Sequence, residues 1–537
     1  MAQATHLGSA PSDGTELNSN GLTAAGQRSI FIASFLTLIA AGIGFAVRGG
    51  ILGDWGAQFG FTKSELGTIT GGGLTGFGVT IIICSLFADR IGYKPLLVGA
   101  FFLHVLSALI TLAATPIFAS AGKAATYQLL FWGMFAFALG NGLCEAAINP
   151  LTATLFPKNK THYLNILHAG WPAGLVLGAL FAYFFAGPSA TVKHLRWEIP
   201  MLFFLVPTLM YGLLVLKNRF PDSEAKAAGV SVMAQVATIF APLLLFLFLI
   251  HAMVGYVELG TDSWITNIMN NVIAGKALLL FIYISMLMFV LRFFAGPIVH
   301  KINPLGLLFI AACCGAIGLY LLGTVSGTLI IVAGTIFALG KTFYWPTMLG
   351  VIGERFPKGG ALAMGISGGV GMMSAGILGG PGIGYSQDYY ASKYLKEKNP
   401  IVYQQFKSED QNSFLMFPAI QGLNGSKVAV ADDLGAALTE DISIARKAGK
   451  TDASLDTLNS WYTANQGMVK SEQQTVKDAT IYGGRKALQV TALVPTCMAA
   501  CYLLLVFYFA AKGGYKPLHL ETDGREVAGP AEGLHTS

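Results

Sequence analysis

Charge is what this chain has least of. Only 12% of its 537 residues are Asp, Glu, Lys or Arg, against roughly 25% in soluble globular proteins, while 54% are hydrophobic. That deficit excludes an ordinary water-soluble fold. The six cysteines (Cys84, Cys144, Cys313, Cys314, Cys497 and Cys501) all lie in apolar runs, with no Cys-x-x-Cys pair and no Cys/His metal spacing. Cys497 and Cys501 stand at helical spacing, which reads as packing rather than a disulfide. The formal net charge is +6, but no basic cluster accompanies it, which argues against a nucleic-acid partner. No catalytic constellation stands out, and neither a metal nor a cofactor is expected. GGGLTGFG (Gly71–Gly78) mimics a phosphate loop, yet it lies inside an apolar helix with no strand before it and no Lys-Ser/Thr after it. Close helix packing explains it better. The segment to about Gln27 is polar and lacks a basic region followed by a short apolar core, so it reads as a disordered tail rather than a signal peptide.

Apolar stretches near the roughly 20-residue length of a membrane crossing recur throughout. Hydropathy places spans 1 to 6 at about Ser29–Val47, Leu66–Ala88, Pro95–Ala114, Leu129–Leu155, Leu164–Phe185 and Ile199–Leu216. Spans 7 to 12 follow at about Ile239–Leu259, Ala277–Val299, Leu305–Gly323, Leu329–Ile352, Leu362–Tyr385 and Leu488–Ala511. The expected fold is an all-α membrane protein of twelve transmembrane helices in two pseudo-symmetric six-helix halves. The segments are a tail (1–28), a first half (29–216), a polar connector (217–238), a second half (239–511) with an insertion (386–485), and a second tail (512–537).

With both termini cytoplasmic, the short inner loops hold ten Lys and Arg and the short outer loops five. This bias favours that orientation, in a cell (inner) membrane. Two passages support related halves. NPLTATLFPKNKTHYLNILHAGWPAGLVLGAL (Asn149–Leu180) and WPTMLGVIGERFPKGGALAMGISGGVGMMSAGIL (Trp345–Leu378) both run from a proline within a helix through Phe-Pro-Lys to a glycine-studded helix. Weak internal symmetry of this kind marks transporters. The insertion on the outer side is polar with interspersed aromatics. It reads either as a small ordered cap over the pathway mouth or as a solvated insertion with no transport role.

SLFADRIGYKPLL (Ser85–Leu97), between spans 2 and 3, resembles the G-x-L-a-D-R-x-G-x-[KR] motif of the major facilitator superfamily, with Ser85 in place of the leading glycine. The resemblance implies that Asp89, Arg90, Gly92 and Lys94 form a cytoplasmic latch that biases the inward/outward equilibrium. A narrower resemblance is to that superfamily's fucose:proton symporter family. It rests on LGNGLCEAAINPL (Leu139–Leu151), LNILHAGWPAGLVLGAL (Leu164–Leu180), YVELGTDSW (Tyr256–Trp264) and LRFFAGPI (Leu291–Ile298). It implies that Glu145 binds sugar or couples a proton, with Asn149 beside it. Where that family's sugar porters can carry an acidic residue late in span 1, this chain reads FAVRGGILGDWG (Phe45–Gly56), with Arg48 near that place.

Ionisable residues inside spans are candidates for function because hydrocarbon penalises them. Glu145 and Asn149 are four residues apart and project from one helical face, a pair suited to hydroxyl-rich ligands. Asn141, Trp171, Arg48, Lys341 and Tyr344 are further candidate substrate contacts. Arg48 is read as a partner of Asp54 or a neighbouring helix, or as an anion-binding group. Lys341 is expected to pair with Glu258 or Glu145, or to touch substrate. Arg292 is expected to snorkel from span 8. Candidate proton carriers are Glu145, His168, Glu258 and Asp262. His168 also reads as a hydrogen-bonded packing histidine and Asp262 as solvent-exposed. Glu258 and Asp262, four apart, would repel unless one held a proton. The partners implied are a sugar-like small molecule, a coupling cation (H⁺) and the lipid bilayer. The alternatives are transport of a small organic anion such as a sugar acid, recognised by Arg48 and Lys341, or a non-transporting sensor.

Overall fold

The computed structural model describes residues 21–529, apart from 62, 187–190, 274, 448–452 and 522–523. Most of the expected leading tail therefore lies outside the described residues. The first half contains α1 (Ala24–Gly50), α2 (Leu52–Phe59), α3 (Lys63–Ile91), α4 (Tyr93–Leu112), α5 (Ala114–Leu155), α6 (Lys160–Phe185) and α7 (Glu198–Lys217). Helix α1 starts ahead of the expected Ser29 because Thr23 caps it, its hydroxyl accepting the Gly26 N–H at 3.1 Å. Two short helices, α8 (Glu224–Ala227) and α9 (Val232–Ile239), follow in the connector.

The second half opens with α10 (Pro242–Gly255), a π-turn (Tyr256–Gly260) and α11 (Thr261–Val272). Span 7 thus runs well past the expected Leu259. The polar run Thr261–Asn271 hid the continuation from hydropathy. Helices α12 (Ala277–Arg292), α13 (Ala295–Leu322), α14 (Leu329–Lys341), α15 (Tyr344–Arg355), α16 (Gly360–Ser374) and α17 (Gly380–Lys398) come next, with a second π-turn at Ala375–Gly379. The chain continues through α18 (Pro400–Phe406), α19 (Gly425–Asp433), α20 (Ala436–Lys447), α21 (Ala453–Thr491) and α22 (Leu493–Ala511). A small antiparallel hairpin of β1 (Leu518–Leu520) and β2 (Glu526–Ala528) ends the described chain.

Among the described residues, ten helical stretches are long and apolar enough to cross a membrane, and α3 with the shorter α12 complete the twelve-helix architecture. Phe102, Leu109, Leu213, Leu249, Leu504 and Phe507 are exposed around the bundle, as a lipid-facing belt requires. Both ends of the described chain lie on one face, here the terminal face; the insertion lies on the other. Helices within each half meet on glycine. A Cβ on Gly260 would sit 2.8 Å from the Gly379 Cα, so the two π-turns pack backbone to backbone.

The insertion is built on the bundle itself. Helix α17 carries span 11 outward, and α21 returns to lead into α22, span 12. Between them α18 and α19 bury Leu395, Val402, Phe406, Ala431, Val469 and Val476 in a small core separate from the main one. We therefore expect replacement of Lys396–Val476 by a short flexible linker to leave an inserted, monodisperse twelve-span protein, with its melting temperature changed by no more than about 5 °C. A protein that no longer inserts or folds would show the segment to be part of the core.

Candidate functional site

Broken helices converge near mid-membrane. Pro172 has no N–H to give the carbonyl four residues back, so His168 O in α6 is free of a helical bond. Pro346 does the same for Thr342 O, just past the end of α14. One side chain takes both. Arg292, the last residue of α12, is 1% exposed; its Nη1 donates to His168 O and its Nε donates to Thr342 O at 2.9 Å. Its Nη2 donates to Glu258 Oε1 at 3.1 Å. Glu258 itself stands on the first π-turn, where the helix register shifts. A guanidinium presents just such a fixed fork of donors. It ties span 5 of the first half to spans 7, 8 and 10 of the second.

The same histidine leads to Glu145. His168 Nε2 lies 2.8 Å from Asn149 Oδ1, and Asn149 Nδ2 donates to Glu145 Oε2 at 2.6 Å and to its backbone oxygen at 3.1 Å. Glu145, Asn149 and His168 are all buried. A polar chain therefore runs Glu145–Asn149–His168 and, through the His168 carbonyl, on to Arg292 and Glu258.

Other expectations are corrected. Lys341 pairs with Asp262, not with Glu258 or Glu145. Asp262 is consequently not a free solvent-facing carboxylate, and each acid of the Glu258/Asp262 pair has its own cation, so neither needs a shared proton. Arg292 does not snorkel, because helix α12 ends at it inside the bundle. Arg48 does not meet Asp54, which pairs with His194 at 2.7 Å. It is buried within the first half instead, donating to Ser107 Oγ at 2.7 Å and lying 4.0 Å over the Phe137 ring. Asn141 turns to His104, 3.1 Å away, whose other nitrogen meets the Tyr211 hydroxyl at 2.9 Å. The Tyr344 hydroxyl donates to Ala311 O at 3.1 Å, so this ring is packed between helices rather than facing a cavity. Trp171 is half-buried, 5.3 Å from Phe45.

The halves are joined on the terminal face. Lys160 Nζ lies 2.6 Å from Glu224 and donates to Gly353 O at 3.1 Å. Thr161 Oγ1 donates to Glu354 Oε1 at 2.5 Å, Asn165 to Thr347 at 3.1 Å, and the Gly296 N–H to His162 Nδ1 at 3.1 Å. Tyr515, beyond span 12, holds the other Glu354 oxygen at 2.6 Å. Asp89 is buried in this seam beside Ser223, Gln235 and the first turn of α16. Gly92 turns the chain at φ 87°, a conformation that favours glycine. Lys94 instead holds the end of α7 within its own half, donating to Leu216 O at 2.9 Å and Asn218 O at 2.8 Å. Arg90 is exposed.

A twelve-helix bundle in two halves, with a buried charged network across their seam, is the architecture of a membrane transporter. The profile of the Major Facilitator Superfamily matches residues 30–380, and the chain belongs to that family. Its fold resembles the E. coli fucose:proton symporter FucP (18% identity, TM-score 0.52, covering 67% of this chain and 93% of that one). It also resembles the proton:xylose symporter XylE bound to 6-bromo-6-deoxy-D-glucose (16%, 0.56, 71% and 92%). A third similar structure is a bacterial homologue of the human lysosomal transporter Spinster in an inward-facing, unoccupied conformation (15%, 0.54, 90% and 97%). No curated protein matches the chain.

Proposed function

We propose that this transporter takes up a neutral monosaccharide or related polyol together with H⁺, with the terminal face cytoplasmic and Glu145 as the proton carrier. The observation that carries this reading is the Glu145–Asn149–His168 chain ending on the Arg292–Glu258 pair. It links one carboxyl group by side-chain hydrogen bonds to His168, the residue whose backbone oxygen Arg292 holds across the seam that must open and close. The buried amide and carboxyl suit sugar hydroxyls. Two of the structures with this fold are named as proton symporters of fucose and xylose. The sugar-acid reading loses support, since Lys341 is engaged by Asp262 and Arg48 is enclosed in the first half. Proteoliposomes with an imposed inward H⁺ gradient test the proposal. Neutral sugars are expected to compete for uptake and sugar acids to fail; gradient-independent uptake, or competition by acids alone, would reverse it.

The latch gives a second test. Asp89 lies at the terminal edge of the seam, far from Glu145. Asp89→Asn is therefore expected to slow exchange about tenfold while leaving substrate affinity within about twofold, as a residue acting on the conformational cycle would. Lost binding with normal exchange rates would remove the latch assignment.

A further inference from the structure

On the insertion-face side, a cavity of ≈ 480 Å³ is lined by Tyr256, Tyr385, Tyr389, Phe414, Phe417 and Leu493, among others; Tyr256 stands on the π-turn that also carries Glu258. Among the described residues, no charged side chain lines the cavity. Its volume falls in the roughly 300–1,000 Å³ range of small-molecule sites. Two of its hydroxyls are already committed, Tyr385 donating to Pro418 O at 2.8 Å and Ser386 to Gly382 O at 2.9 Å. The lining is otherwise aromatic and aliphatic, the hydroxyls of Tyr256, Tyr389 and Tyr390 being its remaining side-chain polar groups.

One wall is a loop of unusual character. Residues 407–423 fold back on themselves through paired backbone bonds, Asn412 N–H to Ile420 O at 2.7 Å and Ile420 N–H to Asn412 O at 2.8 Å. The base of this loop is polar, with Asn412 donating to Asp388 at 3.3 Å. Its tip is Phe414-Leu415-Met416-Phe417-Pro418, with Leu415 67% and Met416 90% exposed. Leu415 adopts φ 48°, a strained conformation for a branched residue, and Leu415 and Met416 both point outward. The tip also hangs back toward the bundle: the Phe414 ring lies against Gly382, sixteen residues before the end of α17, about 24 Å along the helix. That depth is level with the start of α22, where Leu493 is 66% exposed and continues into the lipid-facing Leu504 and Phe507. The cavity thus shares Leu493 with the apolar outer surface of α22, and an apolar loop tip beside it would be out of place in water.

We propose that the Phe414–Pro418 tip inserts into the leaflet on the insertion face and that the cavity behind it holds one acyl chain of a bilayer phospholipid. The test uses the full chain in nanodiscs of phosphatidylcholine carrying a photoreactive group late in one acyl chain. Labelling at Tyr389 and Phe417 is expected to exceed that at Leu504 and Phe507 by about fivefold, and Val494→Trp, which fills the cavity, to bring it down to their level. Ser386→Met, a smaller filling, should act in the same direction if the tryptophan variant fails to fold. Equal labelling at all four positions, or labelling untouched by either variant, would overturn the acyl-chain site. A bimane placed by Met416→Cys should be quenched by bromines on the acyl chains and shielded from aqueous iodide; the reverse pattern would place the tip in water.

Discussion

Glu145→Gln should uncouple the transporter without emptying its site. Asn149 Nδ2 donates to Glu145 Oε2 at 2.6 Å, and a glutamine keeps an oxygen there to accept that bond. What glutamine cannot do is release a proton. Counterflow exchange of sugar, which needs binding and rocking but no net H⁺ movement, should stay within about threefold of wild type, while accumulation driven by an imposed pH gradient should fall by at least about tenfold. Glu145→Ala should lose exchange as well, because Asn149 then keeps only its bond to the backbone oxygen of residue 145 and the paired carboxyl and amide that would meet sugar hydroxyls are gone. A Glu145→Gln protein that still concentrates sugar when H⁺ is the sole driving ion would reduce Glu145 to a ligand-binding group. His168 would then be the next carrier to test, since Glu258 and Asp262 are each held by a cation.

Much of this was legible in the sequence, for reasons that also set the limit. Twelve apolar runs of membrane length can satisfy their backbones only as helices, so the architecture follows from hydropathy. The pair Glu145/Asn149 follows from a four-residue spacing. Asn141, a further candidate contact one four-residue step before Glu145, does not join the pair. Four residues overshoot one helical turn by about 40°, and eight by about 80°, enough to carry Asn141 round to His104 inside the first half. The site's other end was present in the sequence as two prolines inside helices, Pro172 and Pro346. The rule that a proline frees the carbonyl four residues back identifies His168 O and Thr342 O as available acceptors. It does not say that Arg292, more than a hundred residues from the first, would take both. That pairing is set by how the two halves meet. The Phe414–Pro418 tip was invisible for a different reason, being five apolar residues inside a polar insertion.

Removing the Arg292 guanidinium should be among the most damaging single changes in the chain. Its three contacts, to His168 O, Thr342 O and Glu258, satisfy two carbonyls that prolines have stripped of helical partners and one buried carboxylate. Arg292→Ala leaves Glu258 buried without its cation, a loss of about 3–5 kcal/mol by analogy with other broken buried pairs. We expect a large drop in melting temperature of the purified protein and no measurable transport. Arg292→Lys restores the charge but not the planar fork, so it should recover part of the stability and little of the transport. If charge is the main debt, Arg292→Met combined with Glu258→Gln should melt well above Arg292→Ala, since no unpaired ion remains. It should still fail to transport, because the bond from span 8 to span 5 across the seam is gone. A double variant no more stable than Arg292→Ala would show that the two proline-freed carbonyls, rather than Glu258, are what Arg292 is there to hold. Wild-type melting and transport in Arg292→Ala would remove Arg292 from the site altogether.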